Sequence, residues 1–143
     1  MMKPYLTDSQ LAQLVETIQT AEDYSTGEIR IHIDSHTEGN NAEIAFEVFT
    51  KLCRHQTAEL NAVLFHINFE QQYLTIIGDE GIHAKVQQQF WDRLHDQTTR
   101  YFAEGRYFEG LQKAVLETGL ELKRHFPITG DKPNELPNEI TFS

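Results

Sequence analysis

Apolar positions along this chain repeat with a period near 3.6 in some stretches and a period of two in others, and each switch marks a new element. Leu11, Leu14, Val15 and Ile18 make a first helical stripe. Thr7 and Gln10 stand three apart at its start, as a capping box requires, and Leu6 can staple to Leu11. Residues 28–34 then alternate, with Ile29, Ile31 and Ile33 on one face and Arg30, His32 and Asp34 on the other, which predicts a strand with a solvated polar face. Asn40 with Glu43 opens a second helix whose stripe is Ile44, Ala45, Val48, Phe49 and Leu52. Residues 62–67 are almost continuously apolar, as expected of a strand covered on both sides. A short polar link, Glu70-Gln71-Gln72, joins it to a strand at residues 73–77, close enough for a hairpin. Helical spacing returns with Phe90, Trp91, Leu94, Thr98, Tyr101 and Phe102, stops at Gly105, and resumes with Leu111, Val115, Thr118, Leu122 and Phe126. Pro127 ends that helix, and residues 127–143 read as an irregular tail in which Ile140 and Phe142 can dock.

Strand, helix, strand and hairpin give a βαββ core flanked by helices. The expected fold is a three-layer α/β/α domain with a small mixed central sheet. A right-handed crossover makes the first two strands parallel, and the hairpin makes the third antiparallel. This topology gathers the start of the first strand (Gly27, Glu28), the start of the second (Glu59, Asn61) and the end of the third (Asp79, Glu80) at one end of the sheet.

Charge and composition narrow the function. The chain has 143 residues, 22 acidic against 12 basic, and a formal charge of -10. An acidic surface opposes general nucleic-acid binding, which needs basic groups to replace counterions, and it opposes adhesion to anionic lipid while favouring cations. No stretch approaches the roughly 20 apolar residues of a membrane span, and residues 1–6 carry no apolar leader core, so direct membrane insertion is not expected and a cytoplasmic protein is. The single Cys53 follows Leu52 at the end of a helical stripe and reads as a buried, inert thiol.

The turn Gly78-Asp79-Glu80-Gly81 carries the main candidate chemistry. Its glycines allow a tight turn through positive φ, and its carboxylates sit at a strand end, where ligands commonly bind in α/β folds. With Glu28 they form an oxygen-rich set suited to a hard divalent cation, calcium or alternatively magnesium. Asp79, Glu80 and Glu28 are therefore the expected metal ligands. Asp79, Glu59 and His83 are candidates for metal-assisted acid–base chemistry. His32, Asp34 and His36 offer a transition-metal alternative, but His36 lies beyond the strand and no fourth ligand is evident, which favours a solvent-exposed polar face. Arg54-His55-Gln56 lacks the glycine of a histidine-phosphatase motif, and there is no Walker loop or Cys-x5-Arg cradle.

Four blocks of residues resemble the TPM domain family: Thr26-Gly27-Glu28-Ile29-Arg30, Asn61-Ala62-Val63-Leu64, Ile77-Gly78-Asp79-Glu80-Gly81 and Glu104-Gly105-Arg106-Tyr107-Phe108-Glu109-Gly110. The likeness assigns residues 1–126 to a TPM-like domain of the short, soluble form. That family takes its name from a thylakoid lumen phosphatase-like protein, a photosystem II repair protein and a receptor modulator. The resemblance implies calcium binding in some members and acid phosphatase activity in at least one branch. Soluble relatives often carry a basic residue beside the asparagine that opens the second strand. Leu60 stands there in this chain, which argues against holding a phosphate. Two functions follow: a divalent-cation-binding domain with weak phosphatase activity, or a non-catalytic interaction module, with a membrane-associated protein as its partner, in which the cation only stiffens loops.

Overall fold

The computed structural model describes residues 5–128 and 137–143. The order of elements is α1 (Asp8–Glu22), β1 (Glu28–Ile33), α2 (Asn41–Leu52), β2 (Ala62–Asn68), β3 (Tyr73–Gly78), α3 (Glu80–Ala103), α4 (Tyr107–His125) and β4 (Thr141–Phe142). Local chemistry sets the helix starts as the sequence predicts. Thr7 and Gln10 close a reciprocal capping box on α1, and the Asn40 side chain accepts from the Glu43 N–H at the start of α2.

The sheet runs β3-β2-β1-β4. β1 and β2 are parallel, with Glu28 beside Ala62 and His32 beside His66, while β2 and β3 pair antiparallel. Of the residues 127–143 expected to form an irregular tail, 129–136 lie outside the described residues, and the remainder includes a short strand, β4. Thr141 and Phe142 pair parallel with His32 and Ile33, and the Ser143 N–H donates to the Ile33 carbonyl. Two residues between turn-forming neighbours are too short to display a period of two, so the strand has no sequence signature.

One face of the sheet carries the main core. Ile29, Ile31, Val63, Phe65, Ile67 and Leu74 pack against Leu14 and Ile18 of α1, Phe90 and Leu94 of α3, and Leu111, Val115 and Leu122 of α4. Each such fully buried aliphatic side chain contributes about 1.5–3 kcal/mol. The opposite face is covered by α2 through Phe49 and Cys53, which meet Ala62 and Leu64 in a smaller cluster. These are the three layers. Burial of Cys53 pushes its thiol up to about 12, so it is inert at neutral pH.

The expected solvent-exposed face of β1 is instead buried. Arg30 and His32 are each 5 % exposed and Glu28 is fully buried. Alternation predicts polar-out only where that face meets water; here Arg30 lies near the Cys53 thiol, and His32 is enclosed by the His66 ring, Thr141 and Ser143.

The glycines of the Gly78–Gly81 turn are needed for closeness rather than for positive φ, which neither adopts. A Cβ on Gly81 would run into the Glu59 carbonyl and lie 2.7 Å from the Leu60 carbonyl oxygen, and one on Gly78 would enter the Trp91 ring. Leu60, with φ of 54°, holds that carbonyl towards the Gly81 and Ile82 N–H groups. Gly81→Ala is therefore expected to destabilise the fold by about 1–3 kcal/mol, as overpacking against rigid atoms does. Urea unfolding checks this: the midpoint should fall at an unchanged slope.

Candidate metal centre

The two ends of β1 hold different chemistry. At its start, the backbone convergence expected from topology is present: the Glu28 N–H donates to the Asn61 carbonyl (3.4 Å) and the Asp79 N–H to that of Ala62 (2.9 Å). The side chains then diverge. Asp79, 2 % exposed, caps α3; one carboxylate oxygen accepts from the Glu80 N–H (2.9 Å) and the other from the His55 N–H (2.7 Å). Glu80 points outward and meets the exposed ring of His55 at 3.2 Å. Glu28 is buried on the face covered by α2. Glu59 bonds the Thr26 hydroxyl, which in turn accepts from the Asn61 amide (3.0 Å). His83 is exposed on the first turn of α3, its Nδ1 accepting from the Trp91 indole (3.0 Å).

Counting carboxylates also overlooked a buried cation. Arg30 follows Glu28 on the same strand face and, like Asp79, acts electrostatically on the Cys53 thiol. A guanidinium in this position already offsets part of the negative charge that an ion was expected to neutralise.

At the far end of β1 the residues do converge. Among the described residues, the group of three metal-ligating side chains placed around one point is His32, Asp34 and His66, whose ligand atoms all lie within 4.8 Å of one another. All three are buried. His32 and His66 are neighbours in the parallel register, with near-parallel rings 5.6 Å apart. The Asp34 Oδ2 lies 3.2 Å from His66 Nε2, and its Oδ1 accepts from the backbone N–H of His36 (3.0 Å) and lies 2.8 Å from His36 Nδ1. The Asn68 side chain donates to the His36 carbonyl (3.0 Å), tying down the loop after β1. β4 closes the site from the other side, with Thr141 Oγ1 2.6 Å from His32 Nδ1 and Ser143 Oγ 2.7 Å from His32 Nε2.

The surroundings set the protonation states. Burial lowers both imidazoles, reinforced at His32 by the neighbouring His66 ring and only partly opposed by Asp34. Burial alone would raise the Asp34 carboxyl. Hydrogen bonds from His36, His66 and Ser143 outweigh it and hold the group well below the usual carboxylate range. At neutral pH the site thus presents neutral imidazoles beside an ionised carboxylate, the forms that bind metal ions.

His66 is the residue that the sequence reading missed, and a signal for it existed. Placing residue 62 beside residue 28 in a parallel pair sets residue 66 beside residue 32. The third ligand lay across the sheet, inside a run that reads as apolar core.

This arrangement, a mixed four-stranded sheet between α2 and the three remaining helices with a candidate metal cluster at one end, defines an α/β domain of known type. The family model of the TPM domain matches residues 3–119, and the chain belongs to that family. The NMR structure of the BA42 protein from the psychrophilic bacterium Bizionia argentinensis is similar over 100% of this chain and 99% of its own, at 31% identity and a TM-score of 0.90. Two more distant structures share the fold. The N-terminal domain of a P. gingivalis protein is 16% identical, with a TM-score of 0.70 over 88% of this chain and 83% of its own. The N-terminal domain of the cg2496 protein from Corynebacterium glutamicum is 8% identical, with a TM-score of 0.66 over 90% and 82%. No curated protein matches the chain. Among the described residues, no helix is long and apolar enough to cross a membrane.

Proposed function

We propose that this TPM domain is a divalent-metal-binding module whose ion is held by His32, Asp34 and His66. The observation that carries this reading is the placement of ligand atoms from three buried residues, two on adjacent strands and one just after β1, within 4.8 Å of one another. Hydrogen bonds keep the buried Asp34 carboxylate ionised beside two imidazoles that burial holds neutral, the protonation states that a metal ion requires. Binding to the native state alone should stabilise it by about 2.7 kcal/mol at a hundredfold excess over the dissociation constant. Thermal unfolding with and without added divalent cation tests this: wild type and Asp79→Asn should respond, and His66→Gln should not.

A second reading places calcium, or magnesium, at the start of β1 with Asp79, Glu80 and Glu28. Its support is the convergence of three chain segments there and the family resemblance. Asp79 and Glu28 would need carbonyls and water to reach the six to eight oxygens that calcium takes. A calcium response lost in Asp79→Asn but kept in His66→Gln would favour it. Asp79→Asn is itself expected to cost about 1–2 kcal/mol without any ion, because an amide nitrogen would then face one of two backbone N–H donors. Phosphate-monoester hydrolysis should be weak or absent: Leu60 supplies no anion contact, and the Cys53 thiol is buried and un-ionised. A non-catalytic role fits better, and no observation on the described residues points to a membrane-associated partner.

A further inference from the structure

We infer that the ion at His32, Asp34 and His66 is a borderline first-row transition metal of the zinc class, bound in four-coordinate geometry at the place where the Ser143 hydroxyl now sits. This rests on the metal-binding reading above and adds to it the class of ion and the group that competes with it. Two imidazoles and one carboxylate suit zinc and its neighbours, whereas calcium takes oxygen ligands in larger number.

One ligand pair already has the spacing of a small tetrahedral shell, and all three ligand atoms lie within 4.8 Å. Ligands about 2.0–2.1 Å from zinc stand about 3.3 Å apart around a tetrahedron. His66 Nε2 and Asp34 Oδ2 are 3.2 Å apart. The supporting contacts are also those that a metal site uses. His36 engages the other Asp34 oxygen, which leaves Oδ2 to face the ion, and Thr141 Oγ1 holds His32 Nδ1, which leaves Nε2 to face it.

Ser143 is the exception. Its hydroxyl lies 2.7 Å from His32 Nε2 and also hydrogen-bonds Asp34, so it bridges two of the three ligands. A neutral hydroxyl is a poor zinc ligand and must turn aside when the ion enters. His32 can keep its net protonation in the exchange, by moving its proton from Nε2 to Nδ1 and donating it to Thr141. The Ser143 backbone stays paired with Ile33 and Ser35, so its hydroxyl can turn aside without moving the chain. The 3.2 Å contact of His66 Nε2 with Asp34 Oδ2 gives way to the ion as well.

Co2+ serves as a spectroscopic stand-in for Zn2+, read by its visible absorption and by displacement with other ions. Wild type should bind one Co2+ with the intense bands of a four-coordinate site. Zn2+ should displace it, and a hundredfold excess of Ca2+ should not. Ser143→Ala, which removes two hydrogen bonds that compete with the ion, should bind about tenfold more tightly. His66→Gln should lose binding, and its circular dichroism and urea midpoint establish that it is folded. Displacement by calcium would overturn the ion class while leaving a metal site at the triad. Weak, six-coordinate bands, or an unchanged affinity in Ser143→Ala, would overturn the geometry and the competition. No binding of Co2+ or Zn2+ by any of the proteins would overturn the inference together with the reading beneath it.

Discussion

Asp34→Ala should lose about 3 kcal/mol of folding stability, more than any other single change at the metal centre. The buried carboxylate accepts from the His36 backbone and lies within hydrogen-bond reach of the His36 and His66 rings. Hydrogen bonds to a charged group are worth about 1.5–3 kcal/mol each, and a buried donor left without an acceptor adds about 1–3 kcal/mol. Water entering the space left behind re-pairs the freed donors, which brings the estimate well below the sum. Asp34→Asn keeps the shape and one good acceptor and should lose less than Asp34→Ala. Urea unfolding in the presence of chelator separates the two variants. A loss below about 1 kcal/mol for Asp34→Ala would mean that the carboxylate is solvated and the cluster is not built as described.

Stability of the metal-free protein should rise from acid to neutral pH and level off above about 6.5. Burial lowers His32 and His66 below the ordinary imidazole value, so in weak acid the unfolded chain binds protons that the folded one does not. Each imidazole therefore contributes stability that is complete above the unfolded value near 6.5 and is lost as pH falls towards its folded value. The slope is at most about 1.4 kcal/mol per pH unit for each. Asp34 acts in the same direction at lower pH. Its hydrogen bonds depress the folded carboxyl, so its contribution is complete above the unfolded value near 3.9 and is lost as pH falls further. Urea midpoints at pH 7.5 and 5.0 read the imidazole part. A fall in wild type that shrinks in His66→Gln is expected; equal midpoints at both pH values would mean that neither ring is held away from water.

The fold was legible because each element carries its own period. Glu28–Ile33 alternates, Ala62–Asn68 is a covered strand, and α1, α2 and α4 show single apolar stripes. The buried polar face of β1 was harder to see, although α2 implied part of it. The stripe of Ile44, Ala45, Val48, Phe49 and Leu52 needs a surface to cover, and the other face of the sheet is taken by three helices. α2 lies on that remaining face over β2 and β3, and the strand end at Thr141 with Ser143 then closes over His32. The metal centre was half legible: His32, Asp34 and His36 stood out as a local group, whereas His66 and Ser143 join them only through parallel register and a strand too short to show a pattern. At the other end of the sheet the carboxylates share a location in the chain's topology, but Asp79 caps α3, Glu80 is exposed against the His55 ring and Glu59 bonds Thr26, which a count of acidic residues does not reveal.

The most direct test of a metal ion at this centre is the imidazole nitrogen spectrum of the protein as one equivalent of Zn2+ is added. Ring nitrogens of His32 and His66 should move to metal-bound positions with saturation at one ion, while those of His83 and His125 stay in place. Unmoved His32 and His66 nitrogens, with shifts confined to the amides of Asp79 and Glu80, would contradict it.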